Sequence, residues 1–248
     1  MKHRPARSAA RAERATPTGG APRCPMPPRH ARQCCYTTAP MSNLAPLMQY
    51  PYLVMKQRKE LAEFFGYESR NKYEIRDPSG GAILYAAEQG GGLGASIMRQ
   101  LMGHWRSYEI HVFDAARNVV LRAIHPFRWF FQRLEVVGAD GRPIGALQQR
   151  FAVFSKSFDV EDAQGRTVMT VRSPLWRPWT FPFERGGKQV GAVMKKWSGG
   201  LTELFTDADT FRIEYGAAEL NPDERALLLA AGLFIDMQYF EHKAQSSA

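Results

Sequence analysis

The sequence predicts a mainly β fold: a closed antiparallel β-barrel around a central hydrophobic C-terminal helix. Two observations predict it. From Tyr73 onward, short alternating segments flank turns rich in Asp or Gly at near-regular spacing. Close to the end, residues 226–235 read ALLLAAGLFI, apolar on every side. Such a helix is enclosed either by protein or by lipid. Spanning a membrane takes about 20 apolar residues, and this run stops where Asp236 and Gln238 intervene. A barrel threaded by the helix buries both the strands' apolar faces and the helix.

Before the patterned region lies a tail. Residues 1–45 carry Lys2 and seven arginines against Glu13 alone, a net +7, so of the chain's +9 only +2 belongs to the rest. The tail is rich in Ala, Arg and Pro without apolar periodicity. It is expected to be a disordered basic tail or an over-extended start, with Met41 as the true beginning. Residues 46–248 form the barrel domain. Because the basic excess belongs to the tail, no nucleic-acid partner is expected. All three cysteines (Cys24, Cys34, Cys35) lie in the tail, leaving the domain without disulfides or thiolate ligands.

The turns are DPSGG (77–81), DAARN (114–118), GADGR (138–142), EDAQG (161–165) and ERGGK (184–188). Strand-like flanks such as YEIHVF and VVLRAI make each of them a hairpin. The connections between hairpins have different chemistry: HPFRWFFQR (125–133), FAVFSKSF (151–158) and SPLWRPWTFPF (173–183). A longer one, residues 88–106, is expected to contain a short helix. In an up-and-down meander, alternate connections fall at opposite ends. One end is then built of Asp-Gly turns and the other of Trp, Phe, Pro, Arg and Lys. Asn221-Pro222-Asp223-Glu224 supplies a cap, a first-turn proline and two acids, starting a helix expected over 223–241. Leu227, Leu228, Leu229, Leu233, Phe234 and Ile235 are its core residues.

Two segments carry a resemblance. KKWSGGLTELFTDADTFRIEY (195–215), followed closely by the apolar helix, resembles the C-terminal end of the phospholipid scramblase family. GYESRNKYEIRDPSGGAILYAAE (66–88) resembles the start of the same family's domain. The resemblance implies a tubby-like fold, about twelve strands around a central helix. It implies ATP-independent, bidirectional movement of phospholipids between membrane leaflets. It also implies a place at the cytosolic face of a membrane, the plasma membrane in this family, or otherwise the cytoplasm. The alternative is a peripheral tubby-like module that binds anionic lipid headgroups or tethers partners without translocating lipid.

Calcium is the one cofactor the resemblance implies, through the twelve-residue segment that begins at Asp207. A calcium loop of the EF-hand kind needs oxygen ligands at positions 1, 3, 5 and 12 and Gly at 6. Asp207 and Asp209 fit positions 1 and 3, with Glu214 or Glu219 as helpers. Positions 5, 6 and 12 are Phe211, Arg212 and Ala218. The alternation of Phe211, Ile213 and Tyr215 reads equally as a strand with one buried face. Calcium dependence is therefore expected to be weak or absent.

No catalytic constellation stands out. The histidines lack metal-ligand spacing, and GGGLGAS (90–96) is not followed by the parallel strand a dinucleotide fold requires. The aromatic-basic connections carry the functional expectation instead. Phe127, Arg128, Trp129, Phe130, Arg172, Trp176, Arg177 and Trp179 are residue types that settle at bilayer headgroups. The competing reading turns the aromatics inward to plug the barrel end. The expected partner is a phospholipid membrane surface.

Overall fold

The computed structural model describes residues 44–58, 71–89, 107–196, 210–216 and 220–240. A single turn of helix, α1 (Ala45–Met48), precedes twelve strands: β1 (Tyr52–Gln57), β2 (Lys72–Arg76), β3 (Ala82–Glu88), β4 (Tyr108–Asp114), β5 (Val119–His125), β6 (Arg133–Gly138), β7 (Pro143–Arg150), β8 (Ser155–Asp162), β9 (Thr167–Pro174), β10 (Thr180–Arg185), β11 (Lys188–Lys196) and β12 (Thr210–Tyr215). Each pairs antiparallel with the next. β1 closes the ring on β12 with Tyr52 opposite Glu214 and Met55 opposite Phe211. The expected barrel is thus present with twelve strands. β1 is an addition, because the turn pattern that marks the other strands begins only after it.

Period-two alternation sends one side chain in and the next out. Along β8 and β9, Phe158, Val160, Met169 and Val171 are buried, while Asp159 and Arg172 face outward. The outer wall is laced with ion pairs such as Arg58–Glu74, Arg133–Glu161, Arg150–Asp159 and Arg212–Glu214. The lumen is filled by α2 (Pro222–Tyr239), two residues shorter at its C-terminal end than the expected 223–241. Leu228, Leu229, Leu233, Phe234 and Ile235 are fully buried and Leu227 nearly so. Each is worth about 1.5–3 kcal/mol of burial. Phe158 meets Phe234 edge-on at 5.9 Å.

Such a tight fit needs small residues on the wall. A Cβ at Gly191 would lie 2.8 Å from the Glu214 carbonyl oxygen of neighbouring β12 and 2.6 Å from Leu228 Cδ2, so glycine there relieves a backbone clash between strands as well as crowding under α2.

Four hairpins share one geometry: a three-residue loop in which the fourth residue of the turn is left-handed. Gly80, Gly141 and Gly165 fill that place, and Arg117 fills it in the β4–β5 turn with φ 68°. In three of them the leading aspartate caps the loop, and in the turn that begins at Gly138 it is Asp140, which accepts from Arg142 N. Asp77 Oδ1 accepts from the backbone N–H of Ser79 and Gly81, and Asp114 Oδ1 from that of Asn118. The Ser79 hydroxyl and these N–H donors hold the Asp77 carboxyl below its ordinary value; the Asn118 side chain and backbone do the same for Asp114. The β10–β11 turn uses Gly186 and Gly187, both at positive φ.

This end also receives the start of α2. Asn221 Oδ1 accepts from Glu224 N, and Glu224 returns the bond to Asn221 N, completing a capping box. Arg142 clamps Asp223 with bonds of 2.9 and 2.8 Å, and Arg185 pairs with Glu224. Arg225 donates to the carbonyls of Leu47 and Tyr50, tying α1 down.

At the other end of α2, Asp236 is 2% exposed and accepts from the Tyr73 hydroxyl at 2.8 Å. The residue that ends the apolar run in sequence is therefore swallowed by the barrel, its carboxylate answered by a strand tyrosine.

Candidate functional site

The connections β5–β6 (126–132), β7–β8 (151–154) and β9–β10 (175–179) all emerge at the end away from the Asp-Gly turns. Among the described residues, ten large apolar side chains are exposed, and all but Met48 lie on these three connections. Phe127, Trp129, Phe130 and Phe131 stand on the first, Phe151, Val153 and Phe154 on the second, Leu175 and Trp176 on the third. Phe130 is 80% exposed, and Phe151 and Trp176 are each 78% exposed. Scattered exposed apolar residues are ordinary; confinement to one end is not.

Polar bonds hold these side chains outward. Gln149 Oε1 accepts from Gln132 N, Gln149 N donates to Gln132 O, and Gln148 Nε2 donates to Phe131 O. Phe131 is thereby kept at φ 52°, a left-handed conformation that a bulky residue adopts only under constraint. In the third connection, Arg177 N donates to Pro174 O and Ser173 Oγ to Arg177 O. Leu175 N reaches Phe154 O at 3.3 Å, joining the second and third connections.

The expected contact residues divide. Phe127, Trp129, Phe130 and Trp176 are exposed on the rim, and Phe127 packs edge-on against Trp129 at 5.2 Å. Arg177 is exposed beside Trp176, and Arg128 is half-buried. Arg172 lies not on a connection but on the outer face of β9, opposite Ser157. Trp179 turns inward. It is half-buried and stacks on Phe240 at 5.4 Å and 22°, covering the end of α2, so the plugging alternative describes this one residue.

Phe151, Val153, Phe154 and Leu175 are rim residues that sequence reasoning does not single out. The signal was present in FAVF, an apolar run without alternation directly after a strand.

Beneath the rim, Lys156 and Lys195 point into the barrel mouth. Their ammonium groups lie 4.9 and 4.3 Å from the centre of the Phe240 ring, and Lys156 also lies 4.5 Å from that of Tyr239. Both charges complement the negative end of the α2 dipole and the π faces around it. Burial pushes the Tyr239 hydroxyl up to about 12, opposed by its bond with Gln149.

Asp207 and Asp209 lie outside the described residues. Of the rest of that twelve-residue segment, Thr210–Tyr215 form β12, paired on both sides with β1 and β11. Phe211 and Ile213 are fully buried, and Glu214 is engaged by Arg212 at 2.8 Å. A paired strand does not wrap round a cation, so this stretch does not fit an EF-hand loop.

The scramblase family model matches residues 34–242, and the chain belongs to that family. Mouse phospholipid scramblase 1 is 27% identical over 242 residues, covering 90% of this chain and 69% of the relative. Human phospholipid scramblase 2 is 28% identical over 210 residues, covering 79% and 69%. A budding-yeast relative, altered inheritance rate of mitochondria protein 25 of Saccharomyces cerevisiae, is 22% identical over 242 residues, covering 81% and 74%. Among solved structures, an Arabidopsis thaliana protein aligns with a TM-score of 0.44 at 12% identity, covering 75% of this chain and 91% of the other.

Proposed function

We propose that the barrel docks on a phospholipid surface through its aromatic end and there speeds passive, ATP-independent, bidirectional movement of phospholipids between leaflets. One observation carries the docking: the confinement of exposed aromatic and aliphatic side chains to three neighbouring connections. Family membership carries the lipid movement. The outer wall supports docking by an end rather than spanning by strands. A membrane barrel presents an apolar band to lipid, whereas this wall presents ion pairs. Among the described residues, no helix is long and apolar enough to cross a membrane. The docked face is the cytosolic side of a membrane, the plasma membrane by family resemblance. Calcium is not required, since half of the segment that would hold it is sheet.

A second reading, a module that binds anionic headgroups without translocating them, is favoured by the enclosed helix. α2 gives its apolar surface to the barrel wall and leaves none to perturb the bilayer.

Reconstitution into vesicles with a leaflet-specific lipid reporter, without ATP and with or without calcium, separates the readings. Reporter exchange at equal rates with and without calcium is expected. Binding without exchange would leave the second reading. Exchange that needs calcium and disappears in Asp207→Ala would overturn the calcium statement.

A further inference from the structure

At the barrel mouth, a cavity of about 490 Å³ opens between the β5–β6 and β7–β8 connections. Trp129, Phe130, Phe131, Phe151, Ala152 and Tyr239 give it ring and methyl surface. The polar residues of its lining are committed to the protein. Gln149 Oε1 accepts from Gln132 N, and the Gln149 amide also bonds the Tyr239 hydroxyl. Gln132 Nε2 donates to the Arg128 carbonyl at 3.2 Å, and its Oε1 is buried out of a ligand's reach. Gln238 Nε2 lies 3.4 Å from His125 Nε2. Arg150 is held on the outer wall by Asp159 at 2.7 Å and Glu161 at 3.5 Å. What the cavity offers a ligand is therefore mainly apolar.

The void is also braced. Phe131 is kept left-handed, and Gln149 ties the β5–β6 connection to the end of α2, so these walls do not fold inward as Trp179 does. A cationic headgroup would have to compete for the π faces, and the Tyr239 ring already carries the Lys156 ammonium, 4.5 Å from its centre. An acyl chain needs no polar partner, and it covers ring surface that otherwise faces water. Phe130 and Phe151, both largely exposed, belong to the lining and to the rim alike. The cavity is thus continuous with the docking face, and a chain entering from a docked bilayer needs no passage through water.

We propose that this cavity takes one acyl chain of a membrane phospholipid, with the headgroup left outside at the rim. The site deepens the rim docking proposed above and rests on it. A phospholipid with one chain withdrawn from the bilayer has lost part of what fixes it in its leaflet. Lipid movement can then begin while α2 stays enclosed.

The test uses single-chain probes kept below the concentrations at which they form micelles, so no membrane is needed. Full-length protein is titrated with phosphocholine, octylphosphocholine and decylphosphocholine. One decylphosphocholine per protein is expected, bound about fifteen-fold more tightly than the octyl compound, about fourfold for each methylene covered. Ala152→Trp, which fills the cavity from its lining, is expected to weaken decylphosphocholine binding by about tenfold or more, because the added ring leaves no room for the chain. Its binding to phosphatidylserine vesicles should be at least that of wild type, since the rim gains an apolar ring. That binding also reports that the variant is folded.

Equal affinity for the octyl and decyl compounds, several molecules bound per protein, or unchanged binding in Ala152→Trp overturns the site. Phosphocholine bound as tightly as the decyl compound makes the mouth an ammonium site and overturns the assignment to a chain. Vesicle binding without monomer binding overturns the chain site and leaves the docking intact. Monomer binding without vesicle binding overturns the docking, and with it the assignment to a membrane lipid.

Discussion

The two ends of the barrel close the same twelve strands but share almost no chemistry. At the Asp-Gly end, every described hairpin is satisfied locally. Carboxylates cap loops, glycines take the left-handed places in all but the β4–β5 turn, and arginines meet the acids at the start of α2. At the aromatic end, longer connections are pinned by glutamine side chains, and large apolar groups are held out in water. The first end is what folding alone asks for. The second forgoes burial of nine apolar side chains that could have turned inward, as Trp179 does. The difference separates what builds the barrel from what the barrel presents.

The largest expected effect contrasts the core with the rim. Leu229 is fully buried against the barrel wall, so Leu229→Asp leaves an unpaired charge in an apolar lumen. A loss of more than about 4 kcal/mol and no soluble folded protein are expected. Trp176→Asp, at a 78% exposed position, should leave the melting temperature close to wild type while weakening vesicle binding. Equal damage to folding by the two changes would break the distinction between core and rim.

Next in size is the contrast between the ends. Tryptophan fluorescence is expected to shift to the blue on addition of phosphatidylserine vesicles. The double change Trp129→Ala and Trp176→Ala should cost about tenfold or more in binding, as two large aromatics leave the interface. Arg128 and Arg177 each add about 1 kcal/mol of attraction to an anionic surface, so added salt should weaken binding. Asp77→Ala and Asp140→Ala, at the opposite end, should leave binding as it is. Loss of binding in the turn variants, with the tryptophan variants unaffected, would reverse the orientation.

How much of this was legible in the sequence depends on how local the cause is. Asp-x-x-Gly turns and the Asn-Pro-Asp-Glu cap are short-range chemistry, and the structure places both where the pattern does. β1 was not legible, because its partner β12 lies at the far end of the chain and no turn joins them. Asp236 reads as the end of an apolar run; only the barrel brings Tyr73 to it. Trp176 and Trp179 are indistinguishable by composition, and what separates them is the ring of Phe240, sixty-one residues on from Trp179. The whole-end character of the rim was legible. The orientation of each side chain, set by contacts distant in sequence, was not.

A smaller effect concerns acid. The carboxyls of Asp77 and Asp114 lie below their ordinary value of 3.8 because donors in their own turns favour the charged form. A carboxyl depressed on folding contributes stability that is fully present above the unfolded value and is lost as pH falls through the folded one. Asp77→Asn should therefore melt lower than wild type near neutral pH, and the gap should close as the pH is taken below 3.8. A gap that persists unchanged in strong acid would mean the carboxylate's charge is irrelevant to the cap.

The smallest effect sharpens the comparison most directly, because among the described residues each end holds one non-glycine residue in the left-handed region: Arg117 at φ 68° and Phe131 at φ 52°. At Arg117 the three sister hairpins use glycine, and the side chain is exposed. Arg117→Gly should raise stability by about 0.5–1 kcal/mol, with the strain relieved partly offset by the extra freedom of the unfolded chain. Vesicle binding should not change. Phe131→Gly relieves the same kind of strain and should likewise not lower the melting temperature, but it removes a 49% exposed apolar group from the rim and should weaken binding. One substitution at the two ends thus separates a local defect of the turn from strain kept for a surface. A binding loss at Arg117, or none at Phe131, would show that the left-handed aromatic serves the fold rather than the membrane.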